Sequence, residues 1–384
     1  MNQHIKLKFS ILMMLYAGLF GSIAILMVAF FQSRSLSPAV SGIAVASTTM
    51  AAFFGQILWG GLSDRFNTTK KIFLVTCALS LLSYSLMVYA RNQWIIVILA
   101  GFTGFVLYPA MTMLDVWILK VYHNSPQTYG QIKGFGSLFS AMYLLLLSYL
   151  VEKFSFIITL ILASFFLLLI FVAAFGVHDS SCNFDNNEKP SVKSLKKLLS
   201  TSMFVIIIII SFLTGMGYAP IINMLPYTIT NVGGTVFTVG AVYSVTSLTE
   251  AFSMLILQKK LHRSVNAKLF LSIIFFIICS VTLALGKTVP LVTIGMILKG
   301  LGFGLMLPTI RQMIYNNSVN ELRTTAQSIF DAVFGSIAGV LSSLYSGVII
   351  EYSGGVSLLF AISTIFFIFS GVIVTVKLQL FSHK

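Results

Sequence analysis

Gly60-Gly61-Leu62-Ser63-Asp64-Arg65-Phe66-Asn67-Thr68-Thr69-Lys70-Lys71 is a short polar interruption between two apolar runs, at 38–62 and 72–90. Runs of about 20 residues are what a helix rising roughly 1.5 Å per residue needs to cross a hydrocarbon core of about 30 Å. Outward from this loop the pattern repeats in both directions. Further runs lie at 9–31, 94–119, 131–151, 155–177, 203–227, 235–257, 268–286, 289–314, 324–350 and 355–377. The chain therefore reads as an all-α membrane protein with twelve spanning helices. The first run is longer than a signal-peptide core, and Phe30-Phe31-Gln32-Ser33 offers no small-residue cleavage site, so it is expected to remain as a helix.

Composition excludes the other classes. Of 384 residues, 57% are hydrophobic and only 9% charged, whereas a soluble domain carries roughly a quarter charged residues. Too few charges remain to build a surface facing water all round, and the apolar blocks are too regular for a fibrous or disordered chain. The net charge of +14 has a simple source. With both termini cytoplasmic, 19 of the 24 Lys and Arg fall on the inner side, while Arg34, Arg91, Lys153 and Lys287 lie outside and Lys299 lies within a span. That bias is the positive-inside rule. It fits inner loops facing anionic lipid in the cell membrane and leaves no need for a nucleic-acid partner.

A single long hydrophilic stretch, 178–200, divides the chain near its middle. Residues 1–177 and 201–384 are accordingly expected to form two six-helix bundles, joined by a cytoplasmic tether whose Lys193, Lys196 and Lys197 could alternatively lie on the inner leaflet as an amphipathic helix. An internal repeat supports the division. Pro109 recurs as Pro308, Gly136-Ser137 as Gly335-Ser336 and Glu152 as Glu351, each 199 positions on. Such a parallel repeat relates the two halves of many secondary carriers. Cys77, Cys182 and Cys279 are far apart and no metal-ligand spacing occurs, so neither a disulfide, a metal nor a cofactor is expected.

The loop quoted first, with its glycine, apolar residue, small residue, Asp-Arg, aromatic and paired basics, resembles the loop signature of the major facilitator superfamily. In that reading Gly61 permits close helix contact, while Asp64 and Arg65, with Lys70 and Lys71 behind them, form a cytoplasmic gate of charge-assisted bonds. The matching loop of the second half, Leu257-Gln258-Lys259-Lys260-Leu261-His262-Arg263, lacks the acidic residue. Ser37-Pro38-Ala39-Val40-Ser41-Gly42, Tyr129-Gly130-Gln131-Ile132-Lys133-Gly134-Phe135-Gly136-Ser137, Ser247-Leu248-Thr249-Glu250 and Lys299-Gly300-Leu301-Gly302-Phe303-Gly304 resemble helices of the branch containing lactose permease, nucleoside permeases and phenylpropionate-type permeases. The likeness implies twelve helices in two pseudo-symmetric bundles and a secondary transporter. Lys133 stands where that branch usually has Arg, whose planar fork Lys cannot reproduce. Ser140 stands where galactoside carriers stack a sugar on Trp, which disfavours galactosides.

Charges within spans are costly and tend to face a cavity or a partner. Asp115 and Lys133, near the inner ends of consecutive spans, are expected to pair, either as a grip on substrate or as a purely structural contact. Glu250 has no basic residue near it on its own span and is the first candidate for proton or substrate binding. Asp331 with Lys299, both reaching the middle of the bilayer by helix rise, is the second, with a static packing contact as the competing reading. Tyr16, Tyr108, Trp117, Tyr218, Asn223 and Tyr243 are cavity candidates, and Gly101, Gly104, Gly300, Gly302 and Gly304 should let helices approach closely. Proton-coupled uptake needs a buried carboxylate tuned by a movable cation. The sequence thus points to a monomeric proton symporter of a small polar solute (saccharide, nucleoside or aromatic acid) and not to an enzyme. The alternative is a proton-antiporting exporter of drugs or metabolites.

Overall fold

The computed structural model describes residues 3–121, 126–177, 201–258, 261, 265–318 and 322–378. The expected tether at 178–200, Cys182 and most of the loop 259–264 lie outside the described residues. Among those described, every regular element is helical, and twelve helices are long and apolar enough to cross a membrane. They are α1 His4–Ser33, α2 Pro38–Ser63, α3 Thr69–Tyr89, α4 Gln93–Ile118, α5 Gln131–Phe154, α6 Ile157–Phe175, α7 Ser202–Asn223, α8 Val236–Leu257, α9 Val265–Ala284, α10 Val289–Asn316, α11 Thr325–Ser353 and α12 Ser357–Val376. Large apolar side chains such as Ile98, Leu168 and Phe175 stand exposed on them. On a protein surrounded by water such a surface would drive aggregation; on a multi-pass membrane protein it meets lipid.

The spans match the apolar runs except at a few ends. The run 203–227 stops early because Pro226 opens a separate short helix, Leu225–Asn231, at its first turn, where proline's missing N–H costs nothing. In the 60–71 loop, Asn67 adopts a left-handed φ of 51°, a conformation Asn tolerates. Thr68 then caps α3, its side chain accepting the Lys71 N–H at 3.4 Å.

The chain packs as two compact units, Met1–Asn183 with Thr235–Ser244, and Phe184–Gly234 with Val245–Lys384. In the first unit, small residues set the helix spacing. A Cβ added to Gly101 would meet Ser47 of α2 at 3.2 Å, and one on Gly104 would overlap the Thr48 carbonyl. In the second unit, Gly300 faces Thr246 and Thr249, and Gly304 faces Ser253, in the same way. The approach of Ser47 to Gly101 thus recurs as that of Thr246 to Gly300, each residue 199 positions on. Hydroxyls fill the polar gaps between other helices: Tyr84 with Thr159 at 2.6 Å, Thr214 with Ser370 at 3.0 Å and Thr364 with Ser280 at 2.8 Å.

Among the described residues, three prolines lie inside helices: Pro109, Pro220 and Pro308. Each removes the N–H that would bond the carbonyl four residues earlier, and an unpaired carbonyl in a dry interior is costly. Side chains on neighbouring helices supply two of the missing donors. Trp59 Nε1–H donates to Phe105 O at 3.1 Å, below Pro109, and the Tyr345 hydroxyl donates to Met216 O at 2.6 Å, below Pro220.

Candidate functional site

Three carboxylate–cation pairs occur among the described residues, each between helices. In the first unit, Lys133 Nζ of α5 donates to Asp115 Oδ2 of α4 at 2.5 Å, as expected. The pair is half-buried, with side chains 38% and 19% exposed. The other carboxylate oxygen, Asp115 Oδ1, is buried and has no hydrogen-bond partner. An ionised carboxyl has about four lone-pair sites, so this group has acceptor capacity to spare.

In the second unit the pairing differs from expectation. Lys299 does not meet Asp331. Its ammonium instead donates to Glu250 Oε1 of α8, and Arg311 takes Asp331 at 2.7 Å. The helix-rise estimate places Lys299 and Asp331 at similar depth but ignores the hairpin. Two consecutive antiparallel helices bring together residues equidistant from their turn. Arg311 and Asp331 are each ten positions from residue 321, and Asp115 and Lys133 each nine from residue 124. Arg311, which sequence reading counted only as an inner-loop charge, is the residue that this symmetry would have found. Gln327 joins it, donating from Nε2 to Arg311 O at 2.8 Å. The polarity of the two hairpins is opposite, with acid before base in α4–α5 and base before acid in α10–α11.

The Lys299 and Glu250 pair is the most deeply set. Lys299 is 3% exposed and Glu250 22%. Glycine makes the approach possible: a Cβ on Gly304 would lie 2.7 Å from Glu250 O, and one on Gly300 would overlap Thr249 Oγ1. Three residues after Glu250, α8 widens into a π-helical turn at Ser253–Leu257, and α11 does the same at Ala332–Ile337 directly after Asp331. Such turns release the regular ladder locally and often accompany function.

The remaining candidates divide by environment. Tyr16 and Trp117 are buried in the packed interior of the first unit. The Tyr16 hydroxyl donates to Leu107 O at 2.6 Å, and Trp117 lies against the edges and faces of Phe9 and Phe73. Tyr108 is half-buried with its ring at right angles to Phe20, and Tyr243 is also half-buried. Asn223 donates to Ser343 Oγ at 3.0 Å. Tyr218 stacks on Phe303, centroids 4.9 Å apart.

At the 60–71 loop the expected close contact at Gly61 is not met, since a Cβ there would find nothing within 4 Å. The glycine sits on the exposed side of its helix end. The side chain of Asp64 lies outside the described residues. Arg65 and Lys71 are exposed, and Arg65 lies 5.9 Å from the Phe66 ring. Lys70 is committed elsewhere: with Lys8 it donates to the carbonyl end of α6, at Val177 O (2.8 Å) and Gly176 O (2.7 Å), where a helix dipole favours cations.

A model of the MFS_1 like family matches residues 4–362. The chain is 25% identical over 356 residues to a maltose permease of Geobacillus stearothermophilus, covering 90% of this chain and 88% of the permease. Among solved structures, the nucleoside transporter NupG superposes with a TM-score of 0.82 at 18% identity over all of both chains. A mutant of NupG gives 0.85 at 17% identity, over 97% of this chain and 99% of the other. A bacterial homologue of the human lysosomal transporter Spinster gives 0.76 at 11% identity over 97% and 95%.

Proposed function

The chain belongs to the MFS_1 like family of major facilitator transporters, and on that footing we propose that it is a proton symporter of a small polar organic solute working by alternating access. The solute class is a saccharide, nucleoside or aromatic acid, in keeping with a maltose permease and a nucleoside transporter among its relatives. It acts as a monomer in the cell membrane, with both termini cytoplasmic and six-helix halves 1–177 and 201–384 joined by the tether 178–200.

One observation carries the assignment of the solute site: the buried Asp115 Oδ1 without a hydrogen bond, beside an ammonium already engaged on Oδ2. A buried acceptor left empty is costly, and a solute hydroxyl or N–H that fills it gains the difference. Lys133, bonded to Oδ2, fixes the carboxylate in place. Glu250 carries the coupling proton. It is a carboxyl within a spanning helix, paired with a cation on a second helix, so taking up a proton breaks the ion pair and changes the charge of the site by one unit.

Substrate-induced alkalinisation of an unbuffered cell suspension, screened over sugars, nucleosides and aromatic acids, tests this reading. A responding solute whose signal Glu250→Gln abolishes supports proton symport. Silence across the panel, with drug hypersensitivity on deletion of the gene, replaces it with the exporter.

A further inference from the structure

Lys299 has more company than its carboxylate. Its Nζ lies 4.8 Å from the centroid of Tyr218 and 5.3 Å from that of Phe303. Those two rings are 4.9 Å apart and within 20° of parallel. The three points form a nearly equilateral triangle, so the ammonium rests against an offset stack of two rings instead of squarely on one face. Phe276 and Phe334 hold the stack from behind, at 5.8 and 5.4 Å from the Tyr218 centroid. The titratable groups facing Lys299 are Glu250 from α8, Tyr218 from α7 and Cys279 from α9. A carboxylate and two aromatic rings gathered around one desolvated ammonium are the groups that recognise primary amines.

We propose that Glu250, Tyr218 and Phe303 form an ammonium-binding site whose resident ligand is the chain's own Lys299, and that the two rings retain this ammonium when Glu250 is neutral. A buried cation stripped of its counter-ion would be pushed to lose its proton or to drag water inward. With the ring stack in place, the cation stays where it is and Glu250 is free to change state. The coupling step then moves a proton onto and off one carboxyl without requiring Lys299 to travel. Tyr218 and Phe303 act as positioning residues, through the ammonium they hold.

The second half of the proposal rests on Glu250 as the coupling group, so its tests are melts in detergent that need no transport; a failed uptake assay leaves them unaffected. Lys299→Ala vacates the site. Propylammonium, the three carbons and the ammonium that alanine lacks, should raise the melting temperature of this variant in a saturable way. It should leave the wild type, whose site is filled, unchanged. Adding Tyr218→Leu and Phe303→Leu should abolish the rise. No rise in Lys299→Ala, an equal rise in the wild type, or a rise that survives loss of both rings overturns the proposal. Should Lys299→Ala not fold, a second arm that keeps the lysine decides. Glu250→Gln imitates the neutral carboxyl, and Tyr218→Leu should lower the melting temperature further in that background than in the wild type. An additive or smaller loss means that the rings do not hold the cation and overturns the proposal.

Discussion

Alanine at Gly300 tests whether the α8–α10 seam is as tight as its geometry says. A Cβ there would overlap Thr249 Oγ1 and lie 2.9 Å from the Thr246 carbonyl. Thr249 cannot swing away without loss, because its hydroxyl is bonded to that same carbonyl at 2.8 Å. Overpacking of this kind costs about 1–3 kcal/mol. Replacing a helical glycine by alanine also gains about 1 kcal/mol of propensity, so the proper reference is a helical glycine with open space around it. Gly134 is one, with nothing within 4 Å of its added Cβ. The propensity gain cancels between the two variants and leaves the packing cost alone. At roughly 2–4 °C per kcal/mol for units of 150–250 residues, Gly300→Ala should melt about 2–12 °C below Gly134→Ala. Gly302→Ala, whose nearest neighbours are 3.1–3.2 Å away, should fall between. A thiol-reactive fluorogenic dye reads the transition in a Cys182→Ser background, because Cys77 and Cys279 are both fully buried. If Gly300→Ala melts level with or above Gly134→Ala, the seam yields, and glycine is not what brings Glu250 to Lys299.

Asp115→Asn keeps the side chain's size but makes one of its oxygens a donor, so solute uptake should fall at least tenfold with little change in melting temperature; unchanged uptake removes Asp115 from the site. Arg311→Ala should shift stability by no more than about 1 kcal/mol, as befits a pair whose side chains are 43% and 54% exposed. A loss of several degrees on melting would show a tighter role. Tyr345→Phe leaves the Met216 carbonyl below Pro220 without its donor, a cost of about 1–3 kcal/mol, whereas Tyr352→Phe at an exposed ring should be neutral. Equal melting of the two would mean that water or a shifted backbone satisfies the carbonyl.

Much of the fold could be read from the sequence because lipid imposes one coarse rule, an apolar run long enough to cross. Pro226 marks where that rule fails: hydropathy does not feel a proline, so the run 203–227 continued through a helix break. The 199-residue repeat was legible from Pro109, Gly136 and Glu152, and it extends to the packing of Ser47 on Gly101 and of Thr246 on Gly300. Candidate-site residues were legible as intramembrane charges, but their partners were legible only within a hairpin. Asp115 and Lys133 are joined by one turn, so their pairing follows from counting. Lys299 and Glu250 lie on helices separated in sequence by α9, and nothing in the spacing fixes which face each presents. Aromatic candidates were the least legible, since Tyr16 and Trp117 share their composition with residues that line a cavity yet fill the interior of the first unit.

The bond from Trp59 to the carbonyl that Pro109 leaves open makes the protein its own optical instrument. Of its three tryptophans, Trp117 is sealed in an apolar interior and Trp94 is half exposed at the start of α4, so neither is tied to a bend. The Trp59 indole is, because its N–H spans from α2 to the weak point of α4. With Trp94 and Trp117 replaced by Phe, the emission colour of the one remaining indole reports whether α4 flexes at its proline during a transport cycle, with no label attached.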